Sequence, residues 1–481
     1  MGIEMYNLVV AHDREYGIGC NGKLPWYFRK EMKYFSKLTQ SGKKNIVVMG
    51  RNTWESIPKR YRPLPGRTNV IISSTLHAKV ESGTFTETDR VHVRPTFDAM
   101  LDCVKQLNDK TTEVWFIGGR RIYAEALQRG IIAKLFLTRI HGVFPECDTF
   151  LDASKIHEFR LQSSSTAVDH DILHTTSAGA HTKYVLSYRV LHMKTEETQY
   201  LDLLENVLDK GDIRKDRTGV GTKSLFGATM RFSLRNNRFP LFTTKRVYWK
   251  GIVEELLWIL RGSTDAKELQ ARNVHIWDGN SSRTFLDQNG LSHLADGDCG
   301  AIYGHQWRHF GAQYVDCSAD YSGKGFDQIQ YVIDQIRNHP NSRRIFLSGW
   351  NPCDFGIQCL PVCHVSYCFS VRKGELHCHL YMRGNDLGCG CPFNVASAAL
   401  LTYMLAHVTG LKPGELVYSC SDAHIYLNHV EGIQSQIQRV PRPFPTLTLD
   451  PNVAQLEDFT YDSFTVRGYN PHPRIKLEMA V

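Results

Sequence analysis

The sequence predicts two consecutive domains, an α/β domain over residues 1–190 and an α+β domain over residues 198–481, with a short junction at 191–197. Three observations carry this reading. A chain of 481 residues exceeds what one ordinary core organises. Apolar runs recur through the front half with helix-like segments between several of them. Then "HMKTEETQ" (192–199) interrupts with charge, and an amphipathic pattern follows it.

In chain order, the front runs are "YNLVVA" (6–11), "NIVVMG" (45–50), "NVIISS" (69–74), "VWFIGG" (114–119) and "KLFLTRI" (134–140). They are rich in Val and Ile and do not alternate with polar residues, which fits strands buried on both faces of a largely parallel sheet. "HTKYVLSYRVL" (181–191) closes the region as an antiparallel edge strand. Beyond the junction, "YLDLLENVLDKG" spaces its leucines as a helix does and stops at Gly211. "ASAALLTYMLAHV" is too short to span a membrane and contains His407, so a buried helix is expected there.

Composition narrows the function classes. A 42% hydrophobic and 22% charged chain is ordinary for a soluble globular protein. "MGIEMYNLVVAHDRE" turns polar within a few residues, so no signal peptide is expected and a cytoplasmic location is. Thirteen cysteines are an odd set and are expected as free thiols. Residues 1–190 hold 27 Lys/Arg against 19 Asp/Glu, and the rest is balanced at 30 of each, so the net +8 lies in front. No basic run of five and no aromatic RNA-binding signature accompanies it, which favours small polyanions over nucleic acid.

The motifs refine this. "GIGCNGKLPWYFRKEMKYF" (17–35) leads from glycines to a helix carrying Glu31, where aromatic neighbours would raise a carboxyl pKa and suit it to proton supply. An exposed helix glutamate is the plain alternative. In "FIGGRRIY" (116–123) a strand ends on Gly118-Gly119 and a helix begins, letting backbone N–H groups approach a diphosphate. Arg51 in "MGRNTWESIP" (49–58) could meet a 2′-phosphate or simply be solvated. In the back half, Arg217, Arg343, Arg344 and Arg383 could converge on one phosphate or lie dispersed on the surface. His424 and Tyr426 share a face if extended, and the Asn394 amide can donate and accept at once. "QCLPVCHVSYC" (358–368) sets Cys359, Cys363 and Cys368 close together. No CxxC pair occurs in 353–391, so a metal there is disfavoured, and none is expected elsewhere.

In this order, "NGKLPW", "EMKYF", "VMGRNTWESIP", "PLPGRTNVIIS", "IGGRRIY" and "LFLTRI" resemble dihydrofolate reductase across residues 5–190. The resemblance implies a mixed eight-stranded sheet flanked by helices that binds NADPH and reduces dihydrofolate. Glu31 would hold and help protonate the pterin. Val9, Val10, Ala11, Trp26, Met32, Phe35, Ile57, Ile117 and Thr138 would line the folate pocket, with Arg67 on the glutamate-tail carboxylate. Ala11, Gly17, Ile18, Gly50, Arg51, Asn52, Thr53, Ser73, Ser74, Ile117, Gly118, Gly119, Arg121, Ile122 and Tyr123 would face the cofactor.

"DRTGVGTKSLFG", "FPLFTTKRVYWKGIVEELLWILRGSTDAKEL", "HIWDGN", "IYGHQWRHFGA", "RRIFLSGWNP", "DAHIYLNH" and "GYNPHPRIKLEMAV" resemble thymidylate synthase over residues 198–481. The whole chain is thus similar to the fused reductase–synthase family of protists and plants, with the synthase domain forming a homodimer. That family makes dTMP from dUMP and 5,10-methylenetetrahydrofolate. Cys363 would attack carbon 6 of the uracil, its pKa lowered by nearby arginines. Glu255 and Tyr303 would manage protons. Arg217, Arg383 and the partner's arginines (Arg343 and Arg344 in this numbering) would hold the phosphate. His364 would follow the nucleophile, Asn394 read uracil, and His424 and Tyr426 hold the ribose. Asp386 and Gly390 would contact folate, and Val481 would close the site. Gly384, Val362, Ala398, Ser421 and His305 depart from the family pattern. An active reductase with a degenerate synthase domain serving in dimerisation or RNA binding, and a nucleotide hydroxymethylase, are the alternatives. Passage of anionic dihydrofolate along the basic front surface is a further expectation.

Overall fold

The computed structural model describes residues 6–40, 45–108, 112–175 and 181–478. The chain forms two compact units that part after Lys194. Val481 lies outside the described residues.

Front-unit strands are β1 (Tyr6–His12), β2 (Ile46–Gly50), β3 (Thr68–Ile72), β4 (Val91–Arg94), β5 (Val114–Gly118), β6 (Ile132–Ile140), β7 (Phe159–Thr175) and β8 (His181–Met193). They form one sheet in the order β4-β3-β2-β5-β1-β6-β8-β7. The first six run parallel, and β8 runs antiparallel to both β6 and β7. Leu8, Val10, Ile46 and Val48 pack on one face, while Val9, Val47 and Met49 pack on the other. Two covered faces explain why these runs do not alternate.

One expectation is corrected. Residues 181–191 lie in a penultimate strand, and the edge is β7. Ser163–Thr166 of β7 are exposed, so the edge strand carries no apolar run by which to be recognised. Strand β8 also continues into the expected junction, to Met193.

Three helices position the front site: α1 (Arg29–Gln40), α2 (Arg51–Ser56) directly after β2, and α3 (Arg120–Gln128) directly after β5. Parallel register sets Gly50 opposite Ile72 and Met49 opposite Gly118. The carboxyl ends of β2, β3 and β5 therefore share one edge of the sheet, where open α/β sheets take their ligands.

The back unit opens with α4 (Thr198–Lys210), which stops at Gly211 as its leucine spacing predicts. Gly211 has φ −70°, so it is needed for space rather than handedness. A Cβ there would stand 2.5 Å from the Val207 carbonyl oxygen. A six-stranded sheet follows in the order β9-β10-β14-β13-β12-β11. Its strands are β9 (Asp212–Arg214), β10 (Thr222–Ser233), β11 (Phe346–Ser348), β12 (His364–Arg372), β13 (Glu375–Asp386) and β14 (Lys412–Tyr426). Helices α5 (Trp249–Leu260), α6 (Tyr303–Arg308) and α7 (Gly390–Val408) contribute to its core with Tyr200, Phe232, Phe242 and Trp258. Among the described residues α7 is the one helix long and apolar enough to cross a membrane, and it is mostly buried within the unit. The expected core helix is there.

Candidate active sites

In the front unit, sheet register brings several of the candidate residues side by side. Ala11 on β1 pairs with Thr138 on β6, and Thr138 pairs with Tyr188 on β8. Glu31 enters from the first turn of α1 and is 6% exposed. Burial pushes its pKa up from 4.5 to about 7. Its charge acts on Tyr34, Tyr123 and Tyr188, which places all three near it. The Tyr34 and Tyr188 rings pack 4.5 Å apart, and the Tyr123 hydroxyl donates to the Val9 carbonyl at 2.9 Å. Trp26 Nε1 and Thr138 Oγ1 are buried without a hydrogen-bond partner among the described residues. Such groups suit a polar ligand that supplies the missing partners.

Val9, Phe35, Ile57 and Ile117 share one apolar cluster, while Val10 packs on the opposite face of the sheet. Met32 is half-buried on α1. Arg67 is 4% exposed, and its bonds go to neutral oxygens, Thr39 Oγ1 at 2.7 Å and the Pro65 carbonyl at 3.1 Å. Burial pulls its pKa down to about 10. A guanidinium so placed is well suited to a carboxylate.

At the shared carboxyl edge, Gly118 has φ +143°, and a Cβ there would stand 2.9 Å from Thr53 Oγ1. Neither a side chain nor its handedness is tolerated. Helix α3 starts at Gly119 with no side-chain cap, leaving its first N–H groups open to an anion. Gly50 approaches Ile122, and Ser73 caps the helix Ser74–Glu81 by accepting from Leu76 N at 3.0 Å. Arg51, Asn52, Ser74 and Arg121 are exposed on the same edge. Gly17 and Ile18 form a short strand against Thr149–Phe150. These residues fit a dinucleotide phosphate.

The back site centres on Cys363, immediately before β12. Its N–H donates to the Tyr303 hydroxyl at 2.9 Å, and Arg383 Nη2 lies 3.6 Å from Sγ. Arg383 is held by the Val362 and Pro361 carbonyls. Burial raises the Cys363 pKa, and the Arg383 and Arg217 charges offset it only in part. The expected lowering is thus corrected: desolvation outweighs the two cations. Arg343 and Arg344 are exposed and are not among the charges acting on Cys363.

Glu255 on α5 accepts from Trp277 Nε1 at 2.8 Å. Burial raises its pKa to about 7, against that bond. Tyr303 is raised as well, chiefly by burial. Burial holds His364 near 4, so it is neutral, and its Nδ1 lies 2.8 Å from the Tyr367 hydroxyl. Asn394 on α7 donates to Asn385 Oδ1 at 3.1 Å. His424 and Tyr426 do share a face of β14, with ring centroids 5.4 Å apart. Asp386 ends β13 and accepts from the Gly388 and Cys389 N–H groups. Burial pushes the Asp386 pKa up, but His429 and these two donors bring it below the usual value. Gly390 begins α7.

Five residues escaped the sequence reading: Tyr34, Tyr188, Trp277, Lys245 and Asp422. Asp422 orients His424 by a 2.9 Å bond to its Nδ1. Trp277, Lys245 and Asp422 lie inside the motifs "HIWDGN", "FPLFTTKRVYWK" and "SDAHIY", which were the available signal. Tyr188 carries none, since only register brings it to Thr138.

Residues 5–178 match the family described as Dihydrofolate reductase, and residues 198–481 match Thymidylate synthase. The chain is 43% identical to bifunctional dihydrofolate reductase-thymidylate synthase 1 of Arabidopsis thaliana, over 99% of this chain and 96% of that one. It is 40% identical to the bifunctional dihydrofolate reductase-thymidylate synthase of Leishmania major, over 100% and 96%. The like-named protein of Paramecium tetraurelia is 43% identical over 99% of each chain.

Proposed function

The chain belongs to the family of bifunctional dihydrofolate reductase–thymidylate synthases, and from that premise we propose how its residues divide the work. It makes dTMP from dUMP and 5,10-methylenetetrahydrofolate and reduces the resulting dihydrofolate to tetrahydrofolate. It is both a methyltransferase and an NADPH-dependent oxidoreductase.

In the reductase site, NADPH supplies the hydride. Glu31 holds the pterin and, part-protonated near neutrality, helps deliver the proton. Thr138 and Trp26 offer it hydrogen bonds, and Arg67 takes the tail carboxylate. The Gly118-Gly119 turn and the open start of α3 cradle the diphosphate. Arg51, Thr53 and Ser73 serve the nucleotide side. In the synthase site, the Cys363 thiolate adds to carbon 6 of dUMP, so that carbon 5 becomes nucleophilic. Arg383 and Arg217 bind the phosphate, His424 and Tyr426 the ribose, and Asn394 the uracil. Glu255 and Tyr303 move protons, while Asp386 and Gly390 meet the folate.

The observation that carries the synthase assignment is Cys363 bounded by Arg383, Arg217 and Tyr303. The family departures leave this arrangement intact. His305 is a core residue packed against Tyr314 and Tyr321, and the Val362 carbonyl still accepts from Arg383. Tritium release from 5-labelled dUMP tests the assignment. Release is expected from the native chain and not from Cys363→Ser; no release from the native chain would leave a degenerate synthase domain standing.

We further propose a cytoplasmic homodimer. Free thiols at all thirteen cysteines support a reducing compartment. On the back sheet Phe226 is 88% and Tyr381 40% exposed, an apolar face suited to a second copy. Arg343 and Arg344, exposed and not among the charges acting on their own Cys363, would then complete the partner's site.

A further inference from the structure

Where β13 ends and α7 begins, three side chains with metal-binding atoms converge. One oxygen of Asp386, the Cys389 sulfur and one His429 nitrogen all lie within 4.8 Å of one another. His429 is fully buried, and its Nε2 sits 2.6 Å from the Glu478 carbonyl oxygen. A carbonyl can only accept, so Nε2 carries a proton, which leaves Nδ1 as the ring atom turned toward Asp386 and available to a metal once its own proton is displaced. That Nδ1 makes no hydrogen bond to a described residue and lies 3.6 Å from Asp386 Oδ1. Gly388 leaves the room, because a Cβ there would stand 2.7 Å from Nδ1 and 3.0 Å from Oδ1.

We propose that Asp386, Cys389 and His429 form a site for a thiophilic divalent transition-metal ion of the zinc class. One carboxylate oxygen, one thiolate and one imidazole nitrogen are a zinc donor set with a fourth position open. The Nε2–H bond to a backbone carbonyl is the outer contact that fixes a metal-binding imidazole. Without the ion, a protonated His429 pairs with the Asp386 carboxylate at 3.6 Å, and the metal would replace that proton while also engaging the Cys389 sulfur. Binding displaces the Cys389 thiol proton and the His429 Nδ1 proton to solvent and leaves the metal's oxidation state unchanged. Lys245 opposes the ion: its amine bonds the Gly388 carbonyl, and its charge reaches both Cys389 and Asp386. The site therefore serves as a reversible inhibitory one. The inhibitory part rests on the proposed contact between Asp386 and folate, because the ion would occupy the same carboxylate.

Cobalt(II) titration of the full-length, chelator-stripped protein tests binding without reference to activity. One equivalent per chain should give an intense near-ultraviolet thiolate-to-cobalt absorption, absent from Cys389→Ser and Cys389→Ala. Tritium release by both variants in metal-free buffer verifies that they fold. No such absorption, or the same absorption in both variants, overturns the proposal. Zinc should also slow tritium release at least tenfold in the native chain, relieved by chelator and absent from the variants, while NADPH-dependent reduction is unchanged. Cobalt absorption without zinc inhibition would uphold the metal site and overturn the folate role of Asp386.

Discussion

Glu31 shows how one residue can be costly to the fold and useful to the chemistry. Its pKa rises from 4.5 to about 7 through burial, so the folded state holds its proton more tightly than the unfolded state. Stability from this group is full below about pH 4, where both states are protonated, and is lost as pH rises through about 7. The loss is on the order of 3 kcal/mol at high pH. Glu31→Gln should therefore melt higher than the native chain at pH 8, and the gap should close at pH 5. The same substitution should slow dihydrofolate reduction by roughly 10²-fold and flatten a rate profile that otherwise falls above pH about 7. Thermal melts and stopped-flow reduction across pH 5–9 check both. Gly384 offers the reverse case. A Cβ there meets nothing closer than 3.6 Å, so a serine fits. Its hydroxyl, next to Arg383, would add a donor to the dUMP phosphate worth roughly 1.5–3 kcal/mol. Gly384→Ser should lower the KM for dUMP about tenfold or more with kcat little changed. An unchanged KM would show that the phosphate lies elsewhere.

Among the elements, the segment before Cys363 depends on one backbone approach. Gly300 bridges Gln358, and Cys359 N–H donates to the Cys299 carbonyl at 3.1 Å. Gly300 has φ +74°, and a Cβ would stand 1.9 Å from the Ile357 carbonyl oxygen. Both handedness and space exclude a side chain. Gly300→Ala should lower the melting temperature by several degrees, displace the Cys363 loop and abolish tritium release. Wild-type-like release would refute the coupling. The same contrast explains what was legible. Buried parallel strands announce themselves as continuous Val/Ile runs, and α4 and α7 by leucine spacing and apolar length. Strand β7 did not, because its polar residues face solvent and its partner β8 supplies the pairing. Glu31 and Cys363 stood out by motif. The net rise of the Cys363 pKa did not, since it depends on how far burial outweighs two cations brought from distant segments. Trp277's bond to Glu255 and the gathering of Tyr188 beside Thr138 are likewise products of packing, and no local pattern encodes them.

For the whole molecule, the assembly can be tested through its arithmetic. Cys363 and Arg383 belong to one site within a chain, whereas Arg343 and Arg344 are exposed and are not among the charges acting on Cys363. If they complete the partner's site, Cys363→Ser and Arg343→Ala each inactivate a homodimer for different reasons. The two variants, mixed equally and allowed to exchange subunits, place half of the dimers in the hybrid form. Each hybrid contains one site with both lesions and one with neither. Tritium release should then recover to about a quarter of the native rate, from two preparations that are nearly inactive alone. Dihydrofolate reduction, whose residues lie within residues 5–190, should stay at the native level in both variants and in the mixture. Recovery that follows subunit exchange in time would establish the crossing. No recovery, with exchange demonstrated by differently tagged chains, would return Arg343 to its own subunit's surface and remove the reason for an obligate dimer.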